Sequence, residues 1–229
     1  DDIPERGINY VTSVNGKMSE EQEKKAVAGY YASVSFMDAQ VGKILQTLKE
    51  EGLEDNTIVI FTSDHGFHLG EHRFWMKVSL HEESVRVPLI VKVPGKQPGI
   101  CHSFAELIDL YPTVAELAGL KFSPHLQGES LVRTLDDPSA EVRDFAFSIS
   151  VRNNNKSFLI RNNKWAYIQY DEDASSGMEL FDMEYDPKQY NNLAYHPKYQ
   201  DVVADLQSHL KKKLEEVRDN DLGIDYESN

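Results

Sequence analysis

Asp64 and His65 stand side by side just after Thr57-Ile58-Val59-Ile60-Phe61. That apolar, β-branched run suits a strand buried on both faces, as in a parallel sheet. Open α/β sheets bind ligands beyond the carboxyl ends of their strands. A carboxylate and an imidazole there could both face one metal ion. The carboxylate suits hard cations such as Ca²⁺ or Mg²⁺, the imidazole softer ones. The same doublet also suits a strand-end turn, with Asp64 accepting backbone N–H groups and His65 solvated.

A second cluster follows in His68-Leu69-Gly70-Glu71-His72-Arg73-Phe74-Trp75-Met76-Lys77, with His81 close behind; five of the eight histidines lie between residues 65 and 102. Loops of this kind carry sites more often than cores do. Lys77 offers a point charge with three donors, which fits an oxygen of a sulfate or phosphate, or it is a solvated surface lysine. Arg86, in Glu82-Glu83-Ser84-Val85-Arg86-Val87-Pro88, is expected to pair with a nearby carboxylate and fix the loop.

Several schemes are absent from the sequence: a Gly-x-Ser-x-Gly elbow, a phosphate-cradling glycine loop and a His-Glu-x-x-His helix. Cys101 has no third group to orient it beside His102, and Asn155-Lys156-Ser157 is a three-residue glycosylation sequon. One cysteine in 229 residues excludes a disulfide framework within the chain and any Cys-rich zinc or iron–sulfur site. With 24 Lys and Arg against 38 Asp and Glu, the formal charge of −14 argues against a nucleic-acid partner. No apolar run approaches the roughly 20 residues that span a bilayer, so no membrane partner is expected. The opening Asp1-Asp2-Ile3-Pro4-Glu5-Arg6-Gly7 reads as the middle of a longer protein.

The elements that must position these residues have their own signals. Ser19-Glu20-Glu21-Gln22 is a capping box. Behind it Val27, Tyr30, Tyr31, Val34, Met37, Val41, Ile44, Leu45 and Leu48 recur at spacings of three and four, which predicts a long amphipathic helix, mostly core, stopped at Gly52. Leu89-Ile90-Val91-Lys92-Val93 predicts a second buried strand. Phe104, Leu107, Ile108, Tyr111, Val114, Leu117 and Ala118 predict a helix capped by Asp109, with Pro112 in its first turn. Residues 120–140 read as loop. Short strands are expected at 145–150, 157–161, 164–170 and 178–182, with a tight turn at Asn162-Asn163 and a closing helix carrying Val202, Leu206, Leu210 and Leu214. The fold class is therefore α/β, a mixed sheet flanked by helices over 1–141, with a small α+β subdomain holding an antiparallel sheet over 142–229.

Together these motifs resemble the type I sulfatase family of the alkaline-phosphatase superfamily, its iduronate-2-sulfatase branch in particular. The resemblance rests on Tyr31-Ala32-Ser33-Val34-Ser35-Phe36-Met37-Asp38, on Thr62-Ser63-Asp64-His65-Gly66, on Leu69-Gly70-Glu71-His72 with Lys77, and on Arg86-Val87-Pro88-Leu89-Ile90. Asp109-Leu110-Tyr111-Pro112-Thr113 and Glu179-Leu180-Phe181-Asp182 extend it. It implies Asp64 and His65 as calcium ligands and Lys77 as the catalytic lysine that holds a sulfate oxygen. It also implies His72 and Arg73 near the sugar, and a sulfated carbohydrate, such as a glycosaminoglycan, as substrate. The family's nucleophile is a formylglycine made in a Cys/Ser-x-Pro-Ser-Arg motif, which this sequence lacks. The chain is accordingly expected to be a C-terminal half whose partner is the N-terminal half of the same enzyme, in a secreted, periplasmic or lysosomal setting. A phosphodiester or phosphonate-ester hydrolase of the superfamily, or a non-catalytic binding fragment, are the other readings.

Overall fold

A computed structural model of the chain describes residues 2–8, 18–121, 123, 125–152 and 155–219. The chain is mixed α/β with antiparallel sheets, and its contacts divide it into two compact units, Asn9–Pro98 and Asp1–Ile8 with Gly99–Asn229.

In the first unit the capping box opens helix α1 (Glu20–Glu50). Ser19 Oγ accepts from the Gln22 N–H at 3.3 Å and Gln22 Oε1 from the Ser19 N–H at 2.8 Å. Gly52, at φ 68°, turns the chain out of the helix, a conformation that costs glycine little. The expectation that this helix is mostly core is corrected: none of its residues is buried, and Tyr31 and Ile44 are 64% and 68% exposed. An amphipathic stripe records that a face needs covering, not which segment covers it. Within this unit Tyr30 has the Phe67 ring at 5.1 Å.

Strands β1 (Val59–Thr62) and β4 (Leu89–Lys92) pair antiparallel, with Phe61 opposite Ile90, rather than in the parallel manner their apolar runs suggest. The expected burial is corrected too, since no residue of either strand is buried and Ile90 is 60% exposed: side-chain composition reports β-propensity, not direction or cover. A parallel pair needs a crossover, usually through a full helix. Here the connection holds a two-residue hairpin, β2 (His68–Leu69) with β3 (Trp75–Met76), and the one-turn helix α2 (Glu82–Val85).

In the second unit, a 3₁₀ turn at Leu107–Asp109 leads into α3 (Leu110–Leu117). Two expectations are corrected. Asp109 makes no side-chain cap to α3, because its carboxylate is fully buried and spent on other partners. Leu107, Ile108, Tyr111 and Val114 face outward, whereas Pro112, Thr113 and Ala115 are buried. The region read as loop contains α4 (Val132–Asp136), which is too short to show a period.

Strands β5 (Ala146–Arg152), β6 (Asn155–Arg161), β7 (Trp165–Tyr170) and β8 (Met178–Asp182) then form an antiparallel sheet in chain order. Asn162 makes the β6–β7 turn: its Oδ1 accepts from the N–H groups of Lys164 at 3.0 Å and Trp165 at 2.7 Å. Helix α5 (Gln200–Arg218) lays Val203, Leu206, Leu210 and Leu214 on the sheet, against Phe158, Ile160, Tyr167 and Leu180. That spacing of three and four is one helix face. No helix among the described residues is long and apolar enough to cross a membrane.

Candidate active site

The end of β1 is a turn built by its own side chains. Asp64 Oδ1 accepts from the His65 N–H at 3.0 Å, and Ser63 Oγ donates to the His65 carbonyl at 2.9 Å. This is the local pattern by which Asp and Ser divert a chain from regular structure. Gly66 follows, and its N–H donates to the Ser84 carbonyl at 2.8 Å. A Cβ on Gly66 would collide with the Glu83 carbonyl oxygen, so this close approach to α2 requires glycine.

His65 is not simply solvated. Its Nδ1 lies 2.8 Å from the Gly66 carbonyl oxygen and its Nε2 lies 2.8 Å from Lys77 Nζ. A carbonyl can only accept, so Nδ1 carries the proton and Nε2 presents its single lone pair to the ammonium. Asp64 Oδ2 lies 3.5 Å from the same Nε2. The β2–β3 hairpin brings Lys77 back to this point, placing it directly after Met76. The structure thus gathers Asp64, His65 and Lys77 at one strand terminus.

Asp64 is 83% exposed and ionised well into acid. Desolvation would raise its carboxyl. Hydrogen bonds from backbone N–H groups and the neighbouring His65 and Lys77 outweigh that and hold its pKa below the ordinary carboxylate value. An outward carboxylate oxygen is a suitable hard-cation ligand, and His65 Nε2 can add a nitrogen if Lys77 yields it. Two donors are short of the six to eight that calcium takes. Among the described residues no three His, Cys, Asp or Glu side chains form a metal-holding group. Asp64 and His65 therefore fit part of a metal site.

The His72 side chain is 3% exposed and stacks on His81 with ring centroids 4.7 Å apart, its Nε2 3.8 Å from Glu83 Oε2. Arg73 is exposed. Arg86 does reach a carboxylate, Glu82, but at 3.7 Å and 81% exposed, a geometry worth little. Cys101 Sγ lies 3.7 Å from the Ala140 carbonyl oxygen and accepts from the Ser103 N–H, as a structural thiol would.

Sequence reasoning noted the density of histidines but not their burial. His68 and His81 are 1% and 0% exposed, and with His72 and Phe74 they form an aromatic cluster inside the loop. A two-residue strand gives no alternation from which the inward turn of His68 could have been read.

Burial, reinforced by His81 and His72, lowers the His68 pKa from 6.5 to about 3. The folded protein therefore refuses a proton that the unfolded chain accepts below pH 6.5. The stability this group contributes is full above that value and is lost as pH falls towards 3. Urea unfolding at pH 7 and pH 5 should differ by about 2 kcal/mol on this account. His68→Gln, which cannot titrate, should remove that share of the difference.

Comparison with known proteins places the chain in a family. The family model described as Sulfatase matches residues 7–120, and that described as N-sulphoglucosamine sulphohydrolase, C-terminal, matches residues 70–219. The chain belongs to the sulfatase family. Arylsulfatase K of Mus musculus is 36% identical over 196 residues, which are 81% of this chain and 35% of that protein. A solved 2-O GAG sulfatase is 26% identical with a TM-score of 0.80, over 90% of this chain and 46% of that one. The phosphonate monoester hydrolase of Agrobacterium radiobacter is 27% identical with a TM-score of 0.72, over 88% of this chain and 43% of that one. This sulfatase chain thus spans less than half the length of each of these relatives.

Proposed function

We propose that this chain is part of an enzyme that hydrolyses sulfate esters of a sulfated sugar. In it Asp64 and His65 hold calcium and Lys77 holds a sulfuryl oxygen. The observation that carries the reading is the meeting of Asp64 Oδ2, His65 Nε2 and Lys77 Nζ, 3.5 and 2.8 Å apart, beyond the end of β1. Hydrolysis breaks the ester S–O link with water, giving an alcohol and sulfate. Negative charge sits on the sulfuryl oxygens throughout, so fixed positive charge is what the site must supply.

Bound calcium would add positive charge beside those oxygens, and a formylglycine on the N-terminal half of the enzyme would supply the attacking oxygen. The Asp64 carboxylate, ionised and outward, offers Oδ2 to the cation while its Oδ1 stays in the turn. His65, its Nδ1–H fixed on the Gly66 carbonyl, offers Nε2. With that nitrogen turned to the metal, the Lys77 donor that now meets it would turn to a sulfuryl oxygen. The cation that Asp64 and His65 would hold and the Lys77 ammonium would thus both supply positive charge to those oxygens, while the Gly66 carbonyl fixes the His65 ring. The exposed apolar stripe of α1 supports an N-terminal half that covers it, and the 2-O GAG sulfatase supports a glycosaminoglycan-type substrate.

The test uses the full-length enzyme, with calcium content and turnover measured together. It should release sulfate from an aryl sulfate faster than it cleaves an aryl phosphonate or phosphate diester. Asp64→Ala should lose most of its bound calcium along with sulfate turnover. Full calcium occupancy in Asp64→Ala would remove the assigned ligand, and a preference for the phosphonate would move the protein to the neighbouring activity.

A further inference from the structure

We propose that His68 is a positioning residue for Lys77, holding the Lys77 segment from both sides through the β2–β3 ladder and the Ser79 hydroxyl. The inference rests on the role given to Lys77 above. Lys77 sits in a backbone that does not hold itself. Met76 and Val78, its two neighbours, have φ of 71° and 79°, and His72 and Arg73 have φ of 53° and 61°. None is glycine, and Val78 is β-branched, the type least suited to that region. Each such residue is strained, and the arrangement persists where the surroundings over-determine it.

The surroundings here are the buried imidazoles. His68 pairs with Met76 in the hairpin, one residue before Lys77. Its Nε2 lies 2.8 Å from Ser79 Oγ, two residues after Lys77. Ser79 Oγ also accepts from the His81 N–H at 3.2 Å. His81 stacks on His72, and Phe74 packs on His68 at 5.4 Å. One side chain and its own backbone thus grip the residues on either side of the lysine. The cluster is sealed, because His68, Phe74, Leu80 and His81 are all at most 5% exposed. Metal ligation does not explain it, since these rings belong to no metal-holding group among the described residues. Fixing the ammonium beside His65 does, because misplacing a catalytic group by about 1 Å can cost on the order of 10²-fold in rate.

A double-mutant cycle in the full-length enzyme tests this. His68→Leu keeps bulk but loses the Ser79 contact, and it should lower kcat/KM for an aryl sulfate about tenfold or more. His68→Gln, whose amide can reach Ser79 as Nε2 does, should recover most of that loss. In a Lys77→Ala background His68→Leu should cost nothing further, because there is no ammonium left to place. Ser79→Ala removes the same bond from the other side and replaces His68→Leu in the cycle if that variant does not fold. An equal loss with and without Lys77, or no loss in the Lys77 background, would overturn the positioning role. If Lys77→Ala alone leaves kcat/KM unchanged, the role given to Lys77 fails instead.

Discussion

Lys77→Ala in the full-length enzyme is expected to lower kcat/KM for a sulfate ester by on the order of 10²–10³, about 3–4 kcal/mol of transition-state stabilisation. The size follows from what the ammonium does. Its Nζ lies 2.8 Å from His65 Nε2, and it brings a positively charged donor to oxygens that carry negative charge. Such a group is worth most where water is excluded and its position is fixed in advance. The loss should fall mainly on kcat if the contact tightens as the ester S–O bond breaks, and on KM if Lys77 grips the resting sulfate equally well. Lys77 is exposed, so the same change should leave stability within about 0.5 kcal/mol. Lys77→Arg keeps the charge but spreads it over a planar fork, so it should restore only part of the rate. A variant as fast as the parent would return Lys77 to the surface lysines.

What the sequence makes legible here is local. The Ser19 capping box, the Asn162 turn and the 3–4 spacing on α5 each depend on residues a few positions apart, and each stands in the structure where that spacing puts it. What it hides depends on partners. The stripe on α1 has the pattern of a core face yet is exposed, because a pattern carries no record of the surface that covers it. The runs at β1 and β4 announce strands but not that they are antiparallel. At the site, the adjacency of Asp64 and His65 and the motif containing Lys77 are readable. The hairpin that returns Lys77 to His65 is not, since its two strands have two residues each. Nor is the split among the histidines, where His65 faces Lys77 while His68 and His81 turn inward. The loop that carries them has left-handed backbone at His72, Arg73, Met76 and Val78, residue types that give no warning of it.

Asp109 shows the same limit and leads to the second large effect. Read locally it is a helix cap; in the structure it is the hub of a buried ionic network. Its Oδ1 accepts from Arg143 Nη2 at 2.5 Å and from the Glu129 N–H at 2.8 Å, and its Oδ2 from the Glu106 N–H at 2.7 Å. Arg143 Nη1 lies 2.5 Å from Glu106 Oε2, and another Glu106 oxygen accepts from the Phe147 N–H, the second residue of β5. Arg143 thus ties the turn before α3 to the segment that starts the antiparallel sheet. Arg143→Ala would leave the Asp109 and Glu106 carboxylates, 0% and 8% exposed, facing each other without their cation. Removing one partner of a buried pair costs about 3–5 kcal/mol, because the remaining charge stays desolvated. The variant should melt lower by on the order of 10 °C. The triple change Arg143→Met, Glu106→Gln, Asp109→Asn removes the charges together and should recover much of that loss, since an ion pair in such a place need not outperform neutral groups that pack and hydrogen-bond. Equal melting of Arg143→Ala and the parent would show that the two carboxylates take up protons or water without penalty, and that the network does not hold this part of the chain together.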